Sequence, residues 1–265
     1  MSDPADDARR ARRAARARRV RRRRLTAIIV VLVILVVGGG AIAALAGRGD
    51  HDGAASAVTS TPTAATTTAP PDTTTTPPRP AGKPRVTVIG DSVSASLMYV
   101  PSAVRLLRTG LDLRLDLRVC RRLASLSCPY MGATPPSALD VIETRGARLG
   151  PTVAIDVGYN DVSTTYQRDV REVLGALREA GVTNVVWVSL AEKRPDYAAI
   201  NAIVRSAARR DPEHLCVADW ARVSRGQPYF GDDGLHLNTA GATAFAKLLR
   251  PYAIRAGRTG SCRPA

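Results

Sequence analysis

From residue 84 onward, short runs of β-branched and apolar residues alternate with longer amphipathic ones. The pattern predicts strands over 85–89 (RVTVI), 113–119 (LRLDLRV), 152–157 (TVAIDV), 184–190 (NVVWVSL) and 216–219. Period-2 alternation or an unbroken apolar run of this length is the strand signal. Between them, helical spacing covers 93–108, 136–148, 167–180, 198–210 and 239–256. Pro136 falls in a first helical turn, where its missing N–H is harmless, and Gly181 stops the third helix. Strict alternation of strand and helix implies an α/β domain with a mostly parallel sheet and helices on both faces.

Upstream of residue 84 the pattern is different. Residues 25–47, LTAIIVVLVILVVGGGAIAALAG, contain no charged residue. As a helix this run is roughly 34 Å long, enough to cross a hydrocarbon core of about 30 Å. It exceeds the apolar region of a cleaved signal peptide, although 41–44 (AIAA) offers small residues of the cleavage type. We read it as a retained transmembrane helix.

Charge now changes the picture. The chain has 265 residues and a formal net charge of +15, which taken whole would suggest nucleic acid as a partner. Residues 1–24, however, hold eleven Arg against three Asp, a net of +8 directly before the apolar run. The positive-inside rule keeps that block cytoplasmic and places everything after residue 47 outside. No aromatic interleaves the arginines to stack a base, so nucleic acid is not an expected partner. Residues 84–265 carry only +7. Arg outnumbers Lys 35 to 3, a bias expected of a high-GC bacterial genome.

Residues 48–84 are dominated by Thr, Pro and Ala and read as a disordered, solvated linker. All four cysteines, Cys120, Cys128, Cys216 and Cys262, follow it, on the expected oxidising side of the membrane. Three pairings are open; the favoured one joins Cys120 to Cys128 across a short loop and Cys216 to Cys262 at the tail. No CxxC or histidine cluster points to a metal, and no cofactor is expected.

Functional groups in parallel α/β folds gather at the carboxyl ends of strands. The first strand ends in Gly90-Asp91-Ser92, the third in Gly158-Tyr159-Asn160-Asp161, and Asp233-Gly234-Leu235-His236 precedes the last helix. Of three histidines, His51 lies in the linker and His214 in a charged turn, leaving His236 with Asp233 three residues before it. A serine nucleophile needs a base, and the base an orienting acid; Ser92, His236 and Asp233 supply these types in order. Arg121, Arg122, Lys193 and Arg194 lie in strand-following loops and read as solvated charge, while Trp187 and Trp220 read as core. Tyr159 either lines a pocket or packs under its loop.

Gly90-Asp91-Ser92, Gly158-x-Asn160-Asp161 and Asp233-x-x-His236 resemble the blocks of the SGNH (GDSL-type) hydrolase superfamily. The remaining block is a glycine in the loop after the second strand. Gly132, 28 residues before Asn160, is the position that corresponds to it. The resemblance covers 84–265 and implies a three-layer α/β/α sandwich. It also implies a catalytic triad of Ser92, His236 and Asp233, and an oxyanion hole formed by the N–H groups of Ser92 and Gly132 with the Asn160 amide. Asp91, Gly158 and Asp161 would support these loops. The loop before Gly132 departs from the family's esterases in carrying Cys120-Arg121-Arg122 and Cys128. In this it resembles SGNH domains attached to membrane acyltransferases of bacterial envelopes.

The expected protein is a single-pass, membrane-anchored enzyme with a monomeric extracytoplasmic domain (85–265). Its expected activity is as a serine esterase on short O-acyl esters of cell-envelope glycans or lipids. Transfer of the acyl group to a sugar hydroxyl, or envelope binding without catalysis, are the alternatives.

Overall fold

The structure, a computed structural model, describes residues 82–261. The basic segment 1–24, the apolar run 25–47, nearly all of the linker and Cys262 lie outside the described residues. Among the described residues no helix is long and apolar enough to cross a membrane.

Five strands form one parallel sheet: β1 (Arg85–Gly90), β2 (Asp112–Leu117), β3 (Thr152–Asp156), β4 (Asn184–Val188) and β5 (Leu215–Ala218), in the order β2-β1-β3-β4-β5. β3 and β4 are buried throughout, as is β1 after its first residue. Strands covered on both faces need apolar residues at every position, which is why their sequences run unbroken rather than alternate. The edge strands β2 and β5 keep partly exposed positions.

The helices are α1 (Ser92–Ala95), α2 (Pro101–Arg108), α3 (Ala138–Arg145), α4 (Ser163–Glu179), α5 (Pro195–Arg210), α6 (Trp220–Ser224) and α7 (Thr239–Thr259). α2 and α6 pack on α7, while α4 packs on both α3 and α5. With right-handed crossovers, the reversal of strand order after β2 places these two groups on opposite faces, giving the expected α/β/α layering. The same reversal opens a crevice between the carboxyl ends of β1 and β3. Gly90 pairs with Leu117 of β2 and with Asp156 of β3, so the three strand ends are level there.

Several boundaries differ from the sequence reading. The helix expected over 93–108 is three pieces: α1, a 3-10 turn (Ser96–Tyr99) and α2. Pro101 has no N–H and disfavours helical backbone at the residue before it; Val100 accordingly has φ −127° and ψ 81°. α3 starts two residues late because Ser137 forms a capping box with Asp140. Trp220 is core, as expected, and opens a helix that Asp219 caps. It stacks on Tyr229 at 5.8 Å and meets Phe245 edge-on at 5.4 Å. That cluster anchors the start of the loop leading to His236.

Candidate active site

The nucleophile turn is built by packing and by one carboxylate. A Cβ on Gly90 would lie 1.9 Å from Ser94 Oγ and 2.8 Å from a Leu117 methyl, so only glycine fits at the end of β1. Asp91 then caps α1 by accepting from Val93 N–H at 3.0 Å, which makes half-buried Ser92 the first helical residue. The other oxygen of Asp91 accepts from Gly158 N–H at 3.2 Å and Tyr159 N–H at 3.1 Å. One fully buried side chain thus ties the loop after β1 to the loop after β3. Burial raises the Asp91 carboxyl to about 6 against these N–H bonds, which lower it, and the nearby His236 pulls in the same lowering direction. Beneath it, burial and the Asp91 charge push Asp156 well above the usual carboxylate range.

Gly158 is constrained by space as well: a Cβ there would lie 2.9 Å from Leu190 and 3.1 Å from the Tyr166 hydroxyl. Tyr159 packs under its loop rather than lining a pocket. Its hydroxyl accepts from Ala191 N–H at 2.7 Å, and its ring meets Tyr197 edge-on at 5.1 Å. Half-buried Asn160 donates from Nδ2 to the Arg121 carbonyl at 3.2 Å. Asp161 accepts from Leu123 N–H with both oxygens, at 3.2 and 3.1 Å, and burial raises its carboxyl to about 7.

The base sits on a loop pinned at both ends. Gly231 N–H donates to the His236 carbonyl at 2.8 Å, and Phe230 pairs with Leu237 in an isolated bridge. Asn238 caps α7 and donates to the carbonyls of Pro228 and Phe230. Within this frame His236 Nδ1 lies 2.5 Å from Asp233 Oδ2, while Asp233 Oδ1 accepts from Leu235 and His236 N–H at 2.9 Å. The bond to His236 and then those N–H donors hold the Asp233 carboxyl at about 2. Asp233, half exposed, is therefore ionised at neutral pH, and Nδ1 is engaged, leaving Nε2 for chemistry. Leu237 N–H donates to Ser96 Oγ at 3.2 Å, fastening this loop to the 3-10 turn that follows Ser92.

The loop after β2 departs most from the sequence reading. Cys120–Cys128 is a disulfide with Cα atoms 5.2 Å apart. Cys216 is disulfide-bonded too, its expected partner Cys262 lying outside the described residues. Arg121, read as solvated charge, is fully buried. Its guanidinium donates to the Gly90, Asp116 and Pro136 carbonyls and pairs with the Asp116 carboxylate at 2.8 Å. Asp116 is also buried, although Asp112 and Arg114 at alternate positions of the same strand are exposed, because Arg121 and Arg145 cover it and hold its carboxyl low against burial. The LRLDLRV pattern carries no sign of this, since the covering arginines come from other segments. Lys193 and Arg194 are exposed, and Arg122 is half-buried.

Gly132 stands at the exposed tip of a hairpin turn closed by Tyr130 and Ala133, with φ 78° and no atom within 4 Å of a Cβ built on it. Among the described residues, no hydrogen bond links it to Ser92 or Asn160. The large apolar residues left exposed among the described residues are Met98, Tyr99, Leu126, Tyr130, Met131 and Val162. All six lie on the segments that follow β1, β2 and β3, around the crevice.

No family model matches the chain. An O-acetyltransferase, OatA of Staphylococcus aureus, is 33% identical over 105 residues, which are 39% of this chain and 16% of that protein. Among solved structures, a carbohydrate acetylesterase family member from Sinorhizobium meliloti superposes with a TM-score of 0.50 and 14% identity, covering 65% of this chain and 97% of that one. The chain therefore shares the α/β fold of that structure, and it spans only about a sixth of the length of the O-acetyltransferase that it matches.

Proposed function

We propose that this domain forms and discharges a covalent acyl-serine ester, acting on O-acyl esters of cell-envelope glycans or lipids. The observation that carries this reading is the His236–Asp233 pair, fastened through Leu237 and Ser96 to the turn that presents Ser92. Ser92 Oγ attacks the ester carbonyl as its proton passes to His236 Nε2. The ionised Asp233 fixes the tautomer and stabilises the imidazolium. As the tetrahedral intermediate collapses, His236 returns the proton to the leaving alcohol. The second half repeats the sequence with water as nucleophile.

Asn160 suits the developing oxyanion because one amide hydrogen is spent on the Arg121 carbonyl, which orients the group and leaves the second free. The apolar rim suits the acyl side of the ester, where a hydrophobic surface is useful and a charged one is not. The partial likeness to an O-acetyltransferase favours a second outcome from the same intermediate, in which a sugar hydroxyl replaces water. The run 25–47 would anchor the enzyme with its N-terminus in the cytoplasm and the domain outside.

The test is labelling of the full chain by a fluorophosphonate, with Ser92→Ala as control, followed by quantifying free acetate against acetylated sugar. Label on Ser92 in the wild type, absent in the variant, is the expected result. A folded wild type that takes no label refutes the mechanism and leaves a binding module.

A further inference from the structure

Two features of the loop after β2 are unexplained by packing alone. Cys120 has φ 65°, one of two non-glycine residues with positive φ among the described residues. Side chains other than glycine's are disfavoured there by Cβ–carbonyl contact. The second feature concerns hydrogen bonding. Arg118 N–H donates to the Gly90 carbonyl, Arg121 N–H to the Arg118 carbonyl, Arg122 N–H to Ser127 Oγ, Leu123 N–H to Asp161, and Cys128 N–H to the Cys120 carbonyl. The half-buried Val119 and Cys120 donate to nothing among the described residues, as do residues 124–127 farther along the loop. Of these open amides, Val119 and Cys120 are the ones bracketed by bonded neighbours, Arg118 and Arg121, that reach Gly90 and Asn160, and a ligand there can take them up.

The flanking contacts place that gap. On one side the loop is held to Gly90, two residues before Ser92, by both Arg118 N–H (3.1 Å) and the Arg121 guanidinium (3.3 Å). On the other side the Arg121 carbonyl receives the Asn160 amide. Residue 120 thus lies between the two groups that the acyl-serine reading assigns to the oxyanion. Gly132, by contrast, stands at the exposed tip of its own turn, and no hydrogen bond among the described residues joins it to Ser92 or Asn160.

Resting on that reading, we propose that the Cys120 backbone N–H is the loop's oxyanion donor, completing the set with Ser92 N–H and Asn160. We further propose that the bond to Cys128 positions it by holding residue 120 in the left-handed conformation. A cysteine then does by covalent restraint what a glycine would do by conformational freedom. Cys128 acts only through Cys120 and is a positioning residue.

The prediction separates conformation from cross-linking. The full chain is assayed on p-nitrophenyl acetate as Cys120→Ala/Cys128→Ser and as Cys120→Gly/Cys128→Ser, with fluorophosphonate labelling and thermal melts alongside. Both variants lack the disulfide, so any loss from the missing cross-link is common to them. The alanine variant is expected to lose about 100-fold in kcat with KM within about twofold, as for removal of one oxyanion donor. The glycine variant, free to adopt positive φ, is expected to recover to within about fivefold of wild type. Equal activity in both, whether full or equally impaired, overturns the proposal, because neither result depends on the conformation at residue 120. If alanine fails to fold, a glycine variant that folds yet loses about 100-fold overturns it as well. A wild type that neither turns over nor takes label defeats the acyl-serine reading itself, a result distinct from all of these.

Discussion

Asp161 makes the most demanding test of the site's electrostatics. Its carboxyl is buried, braces the loop after β2 through Leu123 N–H, and titrates at about 7 instead of 3.8. Burial is the main cause, reinforced by the charges of Asp91 and Asp169. A folded-state value above the unfolded one means that the folded chain binds more protons across that window. Stability conferred by the protonated form is complete below about pH 4 and is lost as pH rises to about 7. At about 1.4 kcal/mol per pH unit, a window of about three units amounts to on the order of 4 kcal/mol. Asp161→Asn cannot ionise, so its stability relative to wild type should rise by that order between pH 4 and pH 8. The new amide hydrogens add a pH-independent penalty of about 1–3 kcal/mol if left unpaired, which shifts the difference curve without tilting it. Asp91, raised to about 6, titrates in both proteins and so drops out of the difference. Urea denaturation followed by the fluorescence of buried Trp187 and Trp220 reads the difference directly. A difference that stays flat from pH 4 to 8 refutes the assignment of a buried, raised carboxyl to Asp161.

Other consequences are independent of this one. Asn160→Ala should lower kcat by about 10²–10³ with KM little changed in steady-state ester hydrolysis, as expected for an oxyanion donor. Arg121→Met leaves Asp116 with one arginine and the Gly90 and Pro136 carbonyls without their guanidinium donor. A loss of about 3–5 kcal/mol in denaturant titration follows, as for breaking a buried ion pair. Gly90→Ala forces a Cβ to within 1.9 Å of Ser94 Oγ and should displace the nucleophile turn; it is read as loss of fluorophosphonate labelling at Ser92. Asp233→Asn removes the charge that holds the His236 tautomer, and kcat in steady-state ester hydrolysis should fall by about 10⁴.

Much of this domain is visible in local patterns. Unbroken apolar runs and amphipathic stretches mark the five strands and most helices, because burial on one face or two leaves a direct imprint on neighbouring residues. Strand-end placement singled out Ser92, Asn160 and the Asp233–His236 pair, and the short separation of Cys120 and Cys128 made their bond the favoured one. Where a local rule was overlooked, a boundary moved: Pro101 breaks the first long helix, and Ser137 with Asp140 resets the start of α3.

Tertiary structure alone decided the rest. That Arg121 is buried follows from Asp116, Gly90 and Pro136 converging on it, three segments that no periodicity relates. Asp91 braces Gly158 and Tyr159 because the strand order sets β1 beside β3, a pairing 67 residues apart in the chain. The positive φ at Cys120 and its unspent amide appear only once the loop is closed on both flanks. Sequence by itself determined which groups stand at the carboxyl edge, since element type and order are written in local hydrophobic period. Which backbone amides remain free there is set by long-range hydrogen bonds, and those exist only in the assembled fold.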